Sequence, residues 1–198
     1  QYRKLLSPAP SHCPPPPAAL GEAAEQGEGG MGGLDAARTR TYGWLDQSID
    51  PEAVKALTGL EFMQAMLAGR FPKPSIADTL AFDLVEVADG RAVFEGAPGE
   101  WAYNPLGTVH GGYAATLLDS ALGCAVHTTM KRGQGYTTVE LKVNYVRAMT
   151  KATGPIRVEA SIIHSGGRLA TAEGRLVGKA DGRLYAHGST TCLCFPLP

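Results

Sequence analysis

Three observations predict an α+β fold, an antiparallel sheet of about six strands wrapped around one long central helix. Six segments alternate apolar and polar residues with a period of two. The turns that separate those after residue 130 are too short for crossover helices, so the strands pair antiparallel. One stretch, "HGGYAATLLDSALGCAV" from His110 to Val126, is instead apolar on nearly every side at helical length.

Taken in order, residues 1–40 are Pro-rich and then Gly/Glu/Ala-rich, with no hydrophobic period. They are expected to be disordered or loosely extended. Gly27, Gly29 and Gly32 spell G-x-G-x-x-G, but no strand precedes them, so a dinucleotide site is not supported. The chain does not start with Met, and Met31 is the expected natural start, with residues 1–30 upstream sequence or part of a fragment. The folded domain is expected over residues 50–197. Asp50 as N-cap and Pro51 at the first helical position open a helix whose Phe62, Met63, Met66 and Leu67 recur at helical spacing before Gly69.

Strand character is expected from Thr79 onward. "LAFDLVEV" and "RAVFEGA" flank Asp89-Gly90, a pair that favours a type I′ hairpin. After the central helix come four more strands, separated at Gly154-Pro155, Gly166-Gly167 and Asp181-Gly182. Val139, Leu141, Val143 and Tyr145 are expected on one face of their strand, as are Ile156, Val158, Ala160 and Ile162. A helix apolar all round must be covered all round. One sheet covers part of it, and a second copy of the chain is the simplest cover for the rest.

Composition narrows the function classes. A formal net charge of −1 argues against a general nucleic-acid binder. The charge is unevenly spread, with ten Lys/Arg against four Asp/Glu between Lys131 and Arg183, which suits a small polyanionic ligand. Four cysteines without a C-x-x-C pair fit a reducing, cytoplasmic setting. No apolar run reaches the roughly 18 residues of a membrane span. The histidines lack metal-ligand spacing, and no G-x-S-x-G elbow is present. His127, His164 and His187 read as surface or packed residues.

Two features of the central helix point to chemistry. Gly111 and Gly112 at its start would let a ligand carbonyl approach the free N–H groups of the first turn, where the helix dipole is positive. The alternative is a tight chain turn that only glycine tolerates. Asp119 is the second feature: a lone acid in an apolar helix costs several kcal/mol unless partnered or wet, which makes it a functional candidate, with a structural hydrogen bond as the alternative.

The stretch "NPLGTVHGGYAATLLDSALG", with "YTTVELKVNYVRAMT" downstream, resembles the hotdog-fold acyl-CoA thioesterases of the phenylacetate-degradation (PaaI) type over about residues 59–195. The resemblance implies hydrolysis of an acyl-CoA or aryl-CoA thioester, without a cofactor, since coenzyme A is part of the substrate. By that resemblance, the Gly111 N–H and the Asn104 side chain hold the thioester oxygen, and Asp119 activates water or attacks directly. His110 falls near the leaving sulfur, and Thr138 where some relatives place a water-orienting hydroxyl. Gly112, Arg147, Lys151 and Arg168 are the expected substrate contacts, the cations facing the coenzyme A phosphates. The expected partners are the acyl-CoA substrate and a second copy, as a homodimer or a dimer of dimers, with no nucleic acid and no membrane. The rival readings are a non-catalytic acyl-CoA-binding module and a hotdog hydratase or dehydratase.

Overall fold

The computed structural model describes residues 38–198, so the leader, the G-x-G-x-x-G match, Cys13 and the Met31 start lie outside the described residues. The chain divides at residue 40 into a first unit, Gln1–Thr39, and a second, Arg40–Pro198, which holds every element below.

The expected single N-terminal helix is two. Asp50 caps α1 (Pro51–Lys55) by accepting from the Glu52 N–H, as the sequence predicts. The chain then breaks, and α2 (Gly59–Leu67) starts afresh on Thr58. Thr58 and Glu61 form a reciprocal capping box that satisfies two backbone donors, so a new helix start is favoured over continuation. Gly69, at φ +73°, closes the run. A third helix, α3 (Ser75–Leu80), takes in Thr79 and Leu80, where strand character is expected, and Ala81 ends it in the left-handed region at φ 52°.

Two strands follow, β1 (Phe82–Ala88) and β2 (Arg91–Gly96), then a short 3-10 turn at Glu100–Ala102. The central helix is α4 (Gly111–Thr128). Behind it come β3 (Gln134–Tyr145), β4 (Ile156–Ser165), β5 (Leu169–Gly178) and β6 (Leu184–Pro196). All pairings are antiparallel, in the order β1-β2-β4-β5-β6-β3, which leaves β3 as an edge strand beside no other strand but β6. The α+β prediction of six strands around one helix holds.

The inner face of the sheet is built small where the helix crosses it. Ala92, Ala160, Ala172 and Ala186 are fully buried, and a Cβ on Gly174 would press Leu122 of α4 at 3.3 Å. Small residues there let Leu117, Leu118 and Leu122 reach the sheet and bury completely. Across β1, β2 and β4, outward side chains form a charged ladder in which Arg91 and Arg157 bridge Glu86, Glu95 and Glu159.

Two local expectations need correction. The Asp89-Gly90 hairpin is not type I′, because Gly90 alone has positive φ. The turn is set by tertiary bonds instead: the Gly90 N–H donates to the Thr128 hydroxyl at the end of α4, and the Gly90 carbonyl accepts from the Ile162 N–H. Val139 does not share a face with Leu141, Val143 and Tyr145. A β-bulge between Thr138 and Glu140 shifts the pairing with β6. Val139 is left 57% exposed while Tyr136 and Thr138 turn inward.

Candidate active site

Asp119 lies midway along α4, where that helix, β3 and α2 enclose a cleft of about 880 Å³. That volume falls within the roughly 300–1,000 Å³ of small-molecule sites. The walls are apolar, with Phe62, Met63 and Met66 from α2 and Phe82 and Phe94 from the first hairpin. The expected solitary acid has a partner. The Thr138 hydroxyl donates to Asp119 Oδ1 at 3.1 Å, and the bulge after Thr138 aims it there. Oδ2 makes no hydrogen bond among the described residues.

The start of α4 forms a separate place. Gly111, Tyr145, Arg147 and Tyr185 line a second cavity of about 310 Å³ that does not include Asp119. The Tyr145 hydroxyl donates to the Gly111 carbonyl at 3.0 Å. A Cβ at 111 would approach the Tyr145 ring at 3.0 Å, which explains glycine there by packing as well as by access. The Gly111 N–H has no partner among the described residues.

His110 is the N-cap of α4. Its Nδ1 accepts from the Gly112 N–H at 2.9 Å, so the proton of the neutral ring sits on Nε2, on an exposed side chain. Gly112 therefore spends its N–H on the cap. Asn104 organises its own loop: Oδ1 accepts from the Leu106 and Thr108 N–H groups, and Nδ2 donates to the Thr108 hydroxyl at 2.8 Å. One Nδ2 hydrogen stays available.

The predicted residues thus fall into groups. Asp119 and Thr138 meet in the large cleft. Gly111 meets Arg147 in the small cavity, where Arg147 also donates to the Leu184 carbonyl. Asn104, His110 and Gly112 hold the loop and the helix start together. Lys151, in a 3-10 turn before β4, and Arg168, in the β4–β5 turn, are exposed, line neither cavity and sit at opposite ends of the sheet. The basic excess is partly spent inside the molecule, since Arg132, Arg157 and Lys179 pair with Glu61, Glu86 and Glu95.

The structure adds residues the sequence reading missed. Cys124, Ser120 and His127 of α4 line the cleft with Asp119, and Tyr136 of β3 faces them. His127 is packed, one of the two settings expected of it. Its ring stacks on Phe62 at 5.2 Å and meets Tyr136 at 5.4 Å, and burial pulls its pKa down to about 4, so it is neutral at pH 7. Burial likewise pushes the Cys124 thiol up to about 12. The Asp119–Gly123–His127 spacing, four residues at a time along one helix face, was the available signal. Among the described residues no cluster of three His, Cys, Asp or Glu could hold a metal ion, and no helix is long and apolar enough to cross a membrane.

A family model for the thioesterase superfamily matches residues 106–185. Acyl-coenzyme A thioesterase 13 of Homo sapiens is 33% identical over 108 residues, which are 54% of this chain and 76% of that protein. A phenylacetic acid degradation-related protein from Ralstonia eutropha JMP134 aligns in structure with a TM-score of 0.61 at 27% identity, covering 67% of this chain and 98% of its own. A point mutant of the phenylacetic acid degradation protein PaaI from Thermus thermophilus aligns with a TM-score of 0.55 at 26% identity, over 61% of this chain and 98% of its own.

Proposed function

The chain belongs to the thioesterase superfamily, and from that premise we propose that it hydrolyses an acyl-CoA or aryl-CoA thioester to the free acid and coenzyme A. The observation that carries the reading is the Thr138-held Asp119 on the wall of an apolar cleft.

With Oδ1 occupied by Thr138, Oδ2 takes a proton from water, and the water oxygen bonds to the thioester carbon. The carbonyl oxygen gains charge and is met by the free Gly111 N–H and the positive end of α4. Collapse of the tetrahedral intermediate breaks the C–S bond, the thiolate takes the proton that Asp119 Oδ2 received, which restores the carboxylate, and His110 Nε2–H donates a hydrogen bond to the leaving sulfur. Asn104 both shapes the loop that presents Gly111 and offers its remaining N–H to the oxygen.

The two halves of this machinery are far apart on one helix. Eight residues at ~1.5 Å each separate Gly111 from Asp119 by about 12 Å, while the reacting groups must lie within about 3 Å of the thioester. Two antiparallel copies of α4 across a dimer axis bring the Gly111 end of one chain beside the Asp119 of the other. The residues of α4 that its own chain leaves exposed or half-buried, Gly112, Ala115, Thr116, Asp119 and Ser120, would face the second copy. The homodimer, or a dimer of dimers, is thus part of the proposal, as is a cytoplasmic setting.

The test is free-thiol release from a panel of short-chain, medium-chain, phenylacetyl and benzoyl CoA thioesters, with molar mass from light scattering. Turnover of at least one thioester by a dimer or larger species is expected. A protein that binds these thioesters without releasing thiol would be a binding module, and the hydrolase reading would fall.

A further inference from the structure

The far end of the Asp119 cleft is polar in a way the hydrolysis itself does not use. His127 and Tyr136 both line it, and their side-chain polar atoms make no hydrogen bond among the described residues. Yet neither is sealed off: the Tyr113 hydroxyl is the one fully buried side-chain polar atom without a partner among the described residues. The ring nitrogens of His127 and the Tyr136 hydroxyl therefore remain reachable.

Their positions are fixed by packing. His127 stands in a stack, Phe71 on Phe62 at 5.0 Å and Phe62 on His127 at 5.2 Å. The Tyr136 hydroxyl lies against α4 at Gly123, where even a Cβ would come within 2.8 Å of it. Asp119, Gly123 and His127 follow one another at four-residue intervals on one face of the helix. At ~1.5 Å per residue, Tyr136 meets that face about 6 Å from Asp119 and His127 about 12 Å from it, the length of an extended chain of roughly ten carbons. Between the two ends the walls are Met63, Met66 and Phe62, which suit a flexible apolar chain.

On the reading that Asp119 serves thioester hydrolysis, we propose that the cleft selects medium-chain acyl groups of about ten carbons whose far end carries a hydroxyl, received by His127 with Tyr136 beside it. A neutral imidazole offers one donor and one acceptor, which match a hydroxyl in either role. A carboxylate end would instead bring an unpaired charge into apolar walls, and a plain methyl end would leave the imidazole dry and unpartnered. A site built to bond a hydroxyl discriminates against the chain that lacks it.

The test compares kcat/KM for decanoyl-CoA and 10-hydroxydecanoyl-CoA, with butanoyl-CoA as a chain too short to reach His127. The wild type should favour the hydroxylated chain about fivefold over decanoyl, the worth of one net hydrogen bond. In His127→Leu the two substrates should move in opposite directions, the hydroxylated chain falling and the plain chain rising, with butanoyl-CoA moving less than either. A merely structural role would lower all three together. Should that variant fail to fold, Tyr136→Phe, which removes one oxygen and keeps the ring packing, should narrow the preference about twofold. Turnover of these thioesters with no preference for the hydroxyl in wild type, or a preference both variants leave unaltered, overturns this inference and leaves the hydrolase reading standing. No thiol release from any of them overturns both.

Discussion

The two halves of α4 come from one continuous helix and serve different ends. Its start is capped by His110, the Gly111 N–H has no partner among the described residues, and Tyr145 and Arg147 stand around a small cavity. From Asp119 to His127 the helix instead presents an acid, small residues and a neutral imidazole to a large apolar cleft. A dipole end can stabilise charge that develops on an oxygen, whereas a mid-helix carboxylate can move a proton. On the proposed reading, one chain holds both kinds of chemistry but cannot bring them to one carbon.

The harshest way to break the comparison is Asp119→Asn, which keeps shape and removes the base. Turnover should fall by roughly 10²–10⁴, while the melting temperature and acyl-CoA binding hold. Full activity in that variant would move the chemistry elsewhere.

Joint refolding of inactive Asp119→Asn and Gly111→Val chains sharpens the division of labour. Half the dimers are mixed, and each mixed dimer holds one intact site and one doubly damaged site. Activity should return to roughly a quarter of wild type. Verified subunit exchange without recovery would rule out the shared site.

A smaller effect is expected from Thr138→Val, which takes away the hydroxyl that fixes Asp119. A hydrogen bond to a charged group is worth about 1.5 kcal/mol, so kcat should drop roughly tenfold with KM little changed. An unaltered kcat would make the Thr138 contact incidental.

The mildest test uses pH. The His127 pKa is lowered to about 4 in the fold from an ordinary 6.5, so the unfolded chain binds more protons between those values and stability rises with pH there. Its contribution is fully present above pH 6.5 and is lost as pH falls towards 4. Between pH 7 and pH 5 the wild type should lose up to about 2 kcal/mol that His127→Gln does not. The carboxyls of Glu86 and Glu95, held below 4.5 by their Arg and Lys partners, lose their contribution only at lower pH. Equal acid sensitivity in both proteins would show that His127 is already hydrated.

Much of the site could be read from residue order, but not all of it. Asp119 stood out because a charge in an apolar run has no local reason to be there, and the Gly pair because it opens a helix. Tyr136 and His127 did not stand out, since an aromatic or a histidine among apolar residues looks like packing until its neighbours are known. Asn104 kept its place in the motif, yet its hydrogen bonds to Leu106 and Thr108 are loop geometry that sequence spacing does not display.

The antiparallel pairing, the central helix, the N-cap at Asp50 and the acid at 119 were legible in the sequence, because period, caps and lone charges are local properties of the chain, whereas the β2–β4 and β6–β3 pairings were not. Tertiary structure decided the rest. The bulge after Thr138 reversed the faces of β3, whereas the Thr58–Glu61 box that broke one helix into two is a local signal the sequence does carry. Packing of α2 against the second half of α4 made a cleft wall of Phe62, Met63 and Met66. The bulge and this packing each depend on a contact between segments far apart in the chain, which no single stretch of sequence records.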